Sequence, residues 1–393
     1  MQKRARQSTV SALFQGEAWR PAWEFEAAMT PHERYLAHMR FESTDRPPLM
    51  ELGAWEATIA AWMDQTGGDA DDVMAWMDQR DAIETVGPDF GMRPAFEEKT
   101  LSEDGETFTM RDRMGLVYRQ FKDRPDRSMP EYESFPVETR ADWEAIKTRF
   151  DPSDPARYPA DWDAKVDQWR SAGKILHLYG LVMNYYGGPS LFGFCRMLLG
   201  PERVLYAFHD EPDLIEDMME FSTELATTIL RKALAEAPIT YVQLWEDMCY
   251  RNGPLISPEM VKRFMVPRYK RIVDVIRSAG VDVIFVDCDG DVSQLIPLWL
   301  DAGINGVFPM EQVCGNDIYE YRKQYGRDLL ISGGIDKRAL MTDRAAIDRE
   351  LEAKIPLTFE GGYVPTIDHW IPPDISYDNI IYYWQRKKEL LGV

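Results

Sequence analysis

The sequence lacks an excess of positive charge and also lacks long apolar runs. Lys and Arg total 45 against 66 Asp and Glu, which gives a formal net charge of -21. Because phosphate backbones are bound by clustered positive charge, this balance argues against nucleic acid as a partner. No stretch approaches the roughly 18 apolar residues of a membrane helix, and the first residues lack the apolar segment of a secretory signal. We therefore expect a soluble, cytoplasmic protein that does not bind a membrane.

Cysteine is scarce, and nucleotide-binding loops are missing. The 393 residues include four cysteines, Cys195, Cys249, Cys288 and Cys314, with no CxxC pair. This pattern argues against a disulfide scaffold or a zinc finger, so four reduced thiols are expected. The GGID stretch at 333–336 follows a strand-like run without the GxGxxG pattern, and no Walker-type loop occurs. Nucleotide chemistry therefore has no support.

The sequence does contain a regular alternation of β-rich runs with helical patterns. Strands are predicted at 239–245, 281–286, 304–308, 328–332 and 363–367, each followed by a helix. Further strands are predicted at 174–180, at 47–52 and somewhere in 80–95, and residues 211–236 have the apolar spacing of a helix. Eight parallel strand-helix units at this length predict an α/β fold, the (β/α)8 TIM barrel.

Two regions interrupt the alternation. Residues 1–30 show no apolar period and are expected to form an N-terminal extension, which leaves 31–393 for the barrel. Residues 100–170 read as an insertion on that barrel. It begins with a hairpin that turns near Met114 and Gly115 and continues into a loop rich in Pro and Asp.

Barrel enzymes build their sites at the C-terminal ends of strands, so the residues that follow each predicted strand are the candidates. Every late strand ends in ionisable groups: Glu246 and Asp247, Asp287 and Asp289, Glu311, Asp336, and Asp368 with His369. The alternative is that these acids cap the helices that follow, since Asp is a preferred N-cap. For Asp336 both roles stay open.

Asp287 and Asp289 lie two residues apart and continue the face of Val283 and Phe285. If that face is the barrel interior, both carboxylates line the mouth and Cys288 points towards the helices. Two like charges so close raise each other's pKa unless a cation lies between them, which predicts a metal site. Of five histidines, His369 alone lies at a predicted strand end, beside Asp368, which could orient its ring. His369 is expected to be a nitrogen ligand or a general acid.

Several motifs, in this order, resemble those of the uroporphyrinogen decarboxylase superfamily. They are ERYLAHMRFESTDRPPLM, LISPEMVKRFMVPRY, ISGGIDKRAL and GGYVPTIDHWIPPDISYDN, and the resemblance runs from about residue 31 to the end. It implies a barrel independently of the strand count. The superfamily also contains zinc-dependent methyltransferases that exchange methyl groups with corrinoid proteins, and members often form homodimers, which the resemblance implies here too.

The departures from the family pattern bear on which branch the chain resembles. The decarboxylases hold a polycarboxylate with an arginine-containing turn after the first strand, but that position here reads ELGAWEA, without arginine. In the methyltransferase branch, a His-x-Cys pair and a later Cys hold zinc, whereas here those places carry Asp287, Asp289 and His369. The formal ligand charge is unchanged, and the harder oxygen donors suit zinc, manganese or iron.

The resemblance therefore implies a metal-dependent, methyltransferase-like enzyme that demethylates a small, methoxylated substrate. Glu246, Asp247 and Glu311 would serve as further ligands or as general acid and base, and Tyr179, Trp245 and Trp370 would wall the substrate pocket. The chain lacks the DxHxxG signature of corrinoid-binding domains, so a corrinoid would arrive on a separate protein. Two alternatives stay open: a metal-independent decarboxylase or lyase of a small acid, and a non-catalytic small-molecule binding protein.

Overall fold

The computed structural model describes residues 28–122, 130–179 and 189–393. In chain order the strands are β1 (Ile83–Val86), β2 (Lys99–Glu103), β3 (Thr107–Arg111), β4 (Val117–Phe121), β5 (Glu131–Ser134), β6 (Ile175–Leu178), β7 (Tyr241–Trp245), β8 (Cys249–Tyr250), β9 (Gly253–Pro254), β10 (Ile284–Asp287), β11 (Gly306–Phe308), β12 (Leu330–Ile335) and β13 (Tyr363–Ile367).

The α-helices are α1 (Pro31–Met39), α2 (Glu56–Thr66), α3 (Ala70–Met74), α4 (Arg140–Lys147), α5 (Trp162–Ala172), α6 (Phe192–Leu199), α7 (Pro201–Asp210), α8 (Pro212–Glu236), α9 (Pro258–Met260), α10 (Val266–Ser278), α11 (Ile296–Ala302), α12 (Ile318–Tyr325), α13 (Lys337–Leu340), α14 (Arg344–Lys354) and α15 (Tyr377–Leu391). Val261–Met265 forms a π-helical turn between α9 and α10. Among the described residues, no helix is both long and apolar enough to cross a bilayer.

Seven of the strands form a curled parallel sheet in the order β1-β6-β7-β10-β11-β12-β13. All five residues of β13 are buried, as expected of a sheet that helices cover on one face and that encloses a core on the other. Helix starts follow the sequence closely, because Ser257, Asp317 and Ser376 accept backbone N–H bonds in the first turns of α9, α12 and α15. The predicted alternation in the second half of the chain is confirmed.

The face of β10 is as expected from its sequence. Val283 and Phe285 pack with Tyr241 and Leu330 inside the curled sheet, whereas Val286 and Cys288 belong to the cluster under the outer helices. The interior is filled by these side chains and is not a channel. Asp287 therefore continues the interior row at the carboxyl end of the sheet.

The strand predicted somewhere in 80–95 is confirmed as β1, whereas the strand predicted at 47–52 is wrong, and the ring is not closed by hydrogen-bonded strands. Pro47 and Pro48 have no backbone N–H to give to a neighbour. The N–H of Ile367 on β13 is taken by a carboxylate oxygen of Glu51 at 2.8 Å instead of a strand carbonyl. The segment still spans the gap, since Leu49 O accepts from Asp81 N at 2.8 Å, and Ala54 forms a single bridge with Ile371.

Side chains replace the missing ladder at this seam. Glu51 Oε2 lies 2.8 Å from Lys387 Nζ on α15 and also accepts the Tyr383 hydroxyl. Lys387 Nζ donates to Met50 O at 2.6 Å. The Glu51 and Lys387 side chains are both 0 % exposed, so each needs the other to offset its desolvation.

The insertion contains more sheet than the sequence predicted. The hairpin of β3 and β4, which turns through Met114 and Gly115, is confirmed. It is flanked by β2 and β5 in a four-stranded antiparallel sheet, and α4 and α5 lead back to β6. All five residues of β2 are exposed, so this strand has no alternating apolar pattern that could have revealed it. The proposed N-terminal extension, residues 1–30, lies almost wholly outside the described residues.

Candidate active site

Three ionisable side chains converge at the carboxyl ends of the parallel strands. One ligand atom each from Asp289, Glu311 and His369 lie within 4.8 Å of one another. Asp289 follows β10, Glu311 follows β11 and His369 follows β13, so three separate loops meet there. His369 Nε2 is 3.5 Å from Asp289 Oδ2. The Asp289 carboxylate is 39 % exposed and the imidazole 26 %, which leaves the group open to a ligand.

Glu311 reaches the group through an unusual backbone turn. The chain leaves β11 through Pro309 and turns at Met310, whose φ is 60°. A positive φ is uncommon for a residue with a side chain, and here it directs Glu311 to the loop after β10. Glu311 Oε2 accepts the N–H of Gly290 at 3.0 Å, and Oε1 lies 3.2 Å from Lys337 Nζ.

Asp287, expected as a metal ligand, has different partners. Its Oδ2 accepts the Tyr179 hydroxyl at 2.8 Å and the Gln243 amide at 3.0 Å. Burial, and then the nearby charge of Asp289, raise the pKa of Asp287 to about 8. The three-residue group thus lacks Asp287 and contains Glu311, which was expected from the sequence as a further ligand or as a general acid or base. Asp287 instead contacts Gln243 on β7 and Tyr179, the residue after β6.

The charge of Asp289 also acts on His369, where it favours the protonated imidazole. Although burial lowers the pKa of an imidazole, the hydrogen bond and charge of Asp289 outweigh it and raise the pKa of His369 above its usual value. Its Nδ1 lies 3.4 Å from the carbonyl oxygen of the next residue, Trp370. Asp368 does not contact the ring. The predicted orienting role of Asp368 therefore has no supporting contact in the structure.

Glu246 and Asp247 follow β7, and their hydrogen bonds and ion pairs are made with partners other than the group of three. Glu246 accepts the backbone N–H groups of Leu191, Phe192 and Gly193 at 2.7–3.1 Å, so it binds the start of α6. Burial raises the pKa of Glu246 to about 7 despite those bonds. Asp247 Oδ2 pairs with Arg196 at 2.8 Å. Burial raises the pKa of Asp247 although Arg196 opposes the shift.

Asp336 and Asp368 make contacts that hold loops in place. Asp336 caps α13 by accepting the N–H of Arg338 at 2.9 Å, and its carboxylate pairs with the same residue's guanidinium at 2.6 Å. Asp368 accepts the N–H groups of Gln312 at 2.8 Å and Lys337 at 3.1 Å. Burial raises the pKa of Asp368 to about 6 against these two bonds.

Aromatic rings border one side of the group. The Trp55 ring centroid lies 6.0 Å from that of His369 and 5.4 Å from that of Trp370. Trp55 is held there because its backbone N–H donates to Ile371 O at 3.2 Å. Trp370 is 39 % exposed, so a large apolar surface faces solvent beside the candidate ligands. Trp245 lies on the other side, with the Arg196 guanidinium 5.3 Å from its ring centroid.

The donor set fits a divalent metal of intermediate hardness. Two carboxylates and one imidazole are the ligand types that zinc, manganese and iron share. Three protein ligands with partly exposed donor atoms leave positions for water or substrate, as in catalytic zinc sites. Of the thiols, Cys195, Cys249 and Cys288 are buried, whereas the partly exposed Cys314 borders the group, with its Sγ donating to Glu311 Oε2 at 3.7 Å.

The comparisons with known proteins agree with this architecture. The family model described as "Uroporphyrinogen decarboxylase (URO-D)" matches residues 184–390, slightly more than half of the chain. The chain belongs to the uroporphyrinogen decarboxylase family. The matched range contains β7, β10, β11, β12 and β13, and thus every member of the three-residue group.

Curated members of the URO-D family are similar to this chain at low identity. A uroporphyrinogen decarboxylase of Myxococcus xanthus is 26 % identical over 172 residues, covering 43 % of this chain and 46 % of that protein. The barley uroporphyrinogen decarboxylase is 21 % identical over 218 residues, covering 53 % and 62 %. A chloroplastic uroporphyrinogen decarboxylase of maize is 22 % identical over 182 residues, covering 45 % and 43 %. The alignments therefore span about half of each relative.

Four residues of the site in this URO-D family member were missed by the sequence reasoning. Lys337 directly follows the strand-end acid Asp336, and this position was a usable signal. Gln243 lies two residues before Trp245 and so shares its face, which was a usable signal. Trp55 and Arg196 gave no local signal, because they lie in segments that reach the site only through the tertiary fold.

Proposed function

We propose that this chain is a metal-dependent enzyme of the URO-D family that removes a methyl group from a small, methoxylated substrate. The observation that supports this most directly is the convergence of Asp289, Glu311 and His369 within 4.8 Å. Zinc is our first choice of metal, because two carboxylates and an imidazole suit it and its binding needs no redox partner.

Such a metal acts as a Lewis acid that makes an ether oxygen a better leaving group. The residues of the chain would bind and orient the substrate around it. Trp55, Trp370 and Trp245 offer apolar walls on two sides of the mouth. Tyr179 and Gln243 hold the Asp287 carboxyl at the end of β10, where it can form a hydrogen bond with a substrate oxygen.

The methyl acceptor in this proposal is a separate protein that carries a corrinoid, or another nucleophile. The basis is the likeness of the motifs to those of the superfamily that contains the methyltransferases, together with the absence of arginine from ELGAWEA at 51–57. Without arginine at that turn, a substrate with many carboxylates would meet the acids of the mouth and be repelled. A homodimer, also expected from the sequence, stays a prediction.

Elemental analysis of the purified full-length protein tests the metal. We expect about one divalent ion per chain, and a loss of at least tenfold in metal affinity for Asp289→Asn, because an amide oxygen carries no charge. Asp301→Asn is the matched control, since Asp301 is 58 % exposed and pairs with Lys270 on the outer helices. Equal metal content in Asp289→Asn and in the wild type would refute the proposal.

The second candidate is decarboxylation of a small carboxylic acid without a metal. It is favoured by the names of the curated relatives, which are uroporphyrinogen decarboxylases. Under this reading the acids at the mouth would move protons, and the group of three would bind no ion. Release of carbon dioxide from a small acid, undiminished by a strong chelator, would support it and exclude the metal-dependent reaction.

A further inference from the structure

Lys337 is a cation in direct contact with the candidate metal ligands. It is the first residue of α13, and its backbone N–H donates to Asp368 Oδ1 at 3.1 Å, which fixes its Cα beside the mouth. Its Nζ lies 3.2 Å from Glu311 Oε1, and the side chain is only 20 % exposed. A positive charge therefore lies beside the group that the proposed function assigns to a metal.

In the metal-free chain this ammonium supplies the counter-charge for Glu311. A divalent cation held by the same carboxylate would stand close to the ammonium, and like charges at short range repel strongly in a partly buried site. The lysine side chain is a flexible stem of four carbons, so its ammonium group can move away from Glu311 while the backbone stays fixed. Metal binding should therefore release the ammonium from Glu311.

The released ammonium would find no free acid at the start of α13. Asp336 is already paired with the Arg338 guanidinium at 2.6 Å and caps the helix through the N–H of Arg338. Asp368 accepts two backbone N–H groups, from Gln312 and from Lys337 itself. Both neighbouring acids therefore already have other donors, and an anion that enters with the substrate would offer the ammonium a partner without competing donors from the chain.

We propose that Lys337 binds an anionic group of the substrate, a carboxylate, in the metal-loaded site and pairs with Glu311 when no metal is bound. The inference rests on the proposed function and specifies its substrate class: small molecules that carry a carboxylate. It also gives an order of binding, with the metal first and the carboxylate second. The substitution Lys337→Met keeps the length of the stem and removes the charge.

The first experiment titrates zinc into metal-free protein by calorimetry. We expect Lys337→Met to bind zinc at least tenfold more tightly than the wild type, because the competing charge is gone. The control is Lys323→Met, which removes the same charge from a side chain that is 79 % exposed and pairs with Glu320 on α12. Equal or weaker zinc affinity in Lys337→Met would overturn the inference and leave the proposed function standing. Absence of zinc binding by the wild type would overturn both.

The second experiment measures binding of acetate and benzoate, with acetamide and benzamide as neutral probes. We expect the zinc-loaded wild type and Lys323→Met to bind at least one of the acids more tightly than its amide. We expect that preference to disappear when zinc is removed, and to fall at least tenfold in zinc-loaded Lys337→Met. Undiminished binding of the acid by Lys337→Met, or no preference for either acid in the wild type, would overturn the inference.

Discussion

The buried pair of Glu51 and Lys387 at the seam of the sheet gives the sharpest stability prediction. Both side chains are 0 % exposed, and Lys387 Nζ has two acceptors, Glu51 Oε2 at 2.8 Å and Met50 O at 2.6 Å. Burial lowers the pKa of Lys387, although Glu51 opposes that shift. Removing one partner of such a pair leaves an uncompensated buried charge, which typically costs about 3–5 kcal/mol.

Lys387→Met should therefore lower the free energy of unfolding by about 3–5 kcal/mol, since methionine keeps the apolar stem and changes packing by less than about 1.5 kcal/mol. The matched control is Lys388→Met on the same helix. Within the described part of the chain, Lys388 Nζ hydrogen-bonds only to the exposed Gln79 side chain, at 2.6 Å, so its loss should change stability by less than about 0.5 kcal/mol.

Urea denaturation followed by circular dichroism and tryptophan fluorescence measures both variants against the wild type. The double variant Glu51→Gln with Lys387→Met should cost less than the sum of the two single variants, by about 1–3 kcal/mol, because the two charges are removed together. If Lys387→Met costs no more than Lys388→Met, or if the single costs add, the seam is not held by this ion pair.

Three further variants give testable predictions. Glu246→Gln should cost about 1–3 kcal/mol in urea denaturation, because an amide leaves backbone N–H groups of α6 unpaired. Because burial raises the pKa of Glu246 to about 7, protonation of Glu246 stabilises the folded state. This stabilisation is complete below about pH 4.5 and is lost as the pH rises through 7. In Glu246→Gln the free energy of unfolding should lack this fall with pH, and a pH profile like that of the wild type would contradict the prediction. Asp336→Ala should lower stability by about 1 kcal/mol through loss of the α13 cap while metal content stays unchanged; a loss of metal would assign Asp336 to the site. Gly53→Ala should shift tryptophan fluorescence by moving Trp370, whose Cζ3 would lie 3.2 Å from the new methyl; an unchanged spectrum would contradict this, because the ring would not have moved.

The late strands were predictable because each is a short apolar run that ends in an acid and a helix signal, and both features are local in sequence. The segment at 47–52 shows where local reasoning fails. Its apolar residues resemble a strand, but two prolines remove donors and Glu51 binds the β13 edge through its side chain. A sequence pattern cannot indicate whether an edge N–H will be met by a carbonyl or by a carboxylate.

The candidate site shows the same limit. Asp289 and His369 were predicted from their positions at strand ends, and the structure brings them together. The exchange of Asp287 for Glu311 depends on the positive φ of Met310, a conformation that methionine does not signal. It also depends on Tyr179 and Gln243, which engage Asp287 from two other strands. These features depend on the tertiary structure and cannot be derived from the spacing of residues in the sequence.

Hydrogen bonds separate the strand-end acids into two kinds. Glu246 and Asp368 use both carboxylate oxygens to accept backbone N–H groups of other segments, so these two acids hold the architecture together. Asp289 accepts no backbone N–H from the described residues, and its nearest ionisable neighbour is the His369 imidazole at 3.5 Å. Because no described backbone N–H occupies its carboxylate oxygens, Asp289 can still bind a cation or a substrate at the mouth of the sheet. This difference in engagement, rather than the mere presence of acids at five strand ends, is why the metal proposal starts from Asp289. Glu311 accepts the Gly290 N–H and pairs with Lys337, and it belongs to the group with His369 because their ligand atoms lie within 4.8 Å of one another and of Asp289.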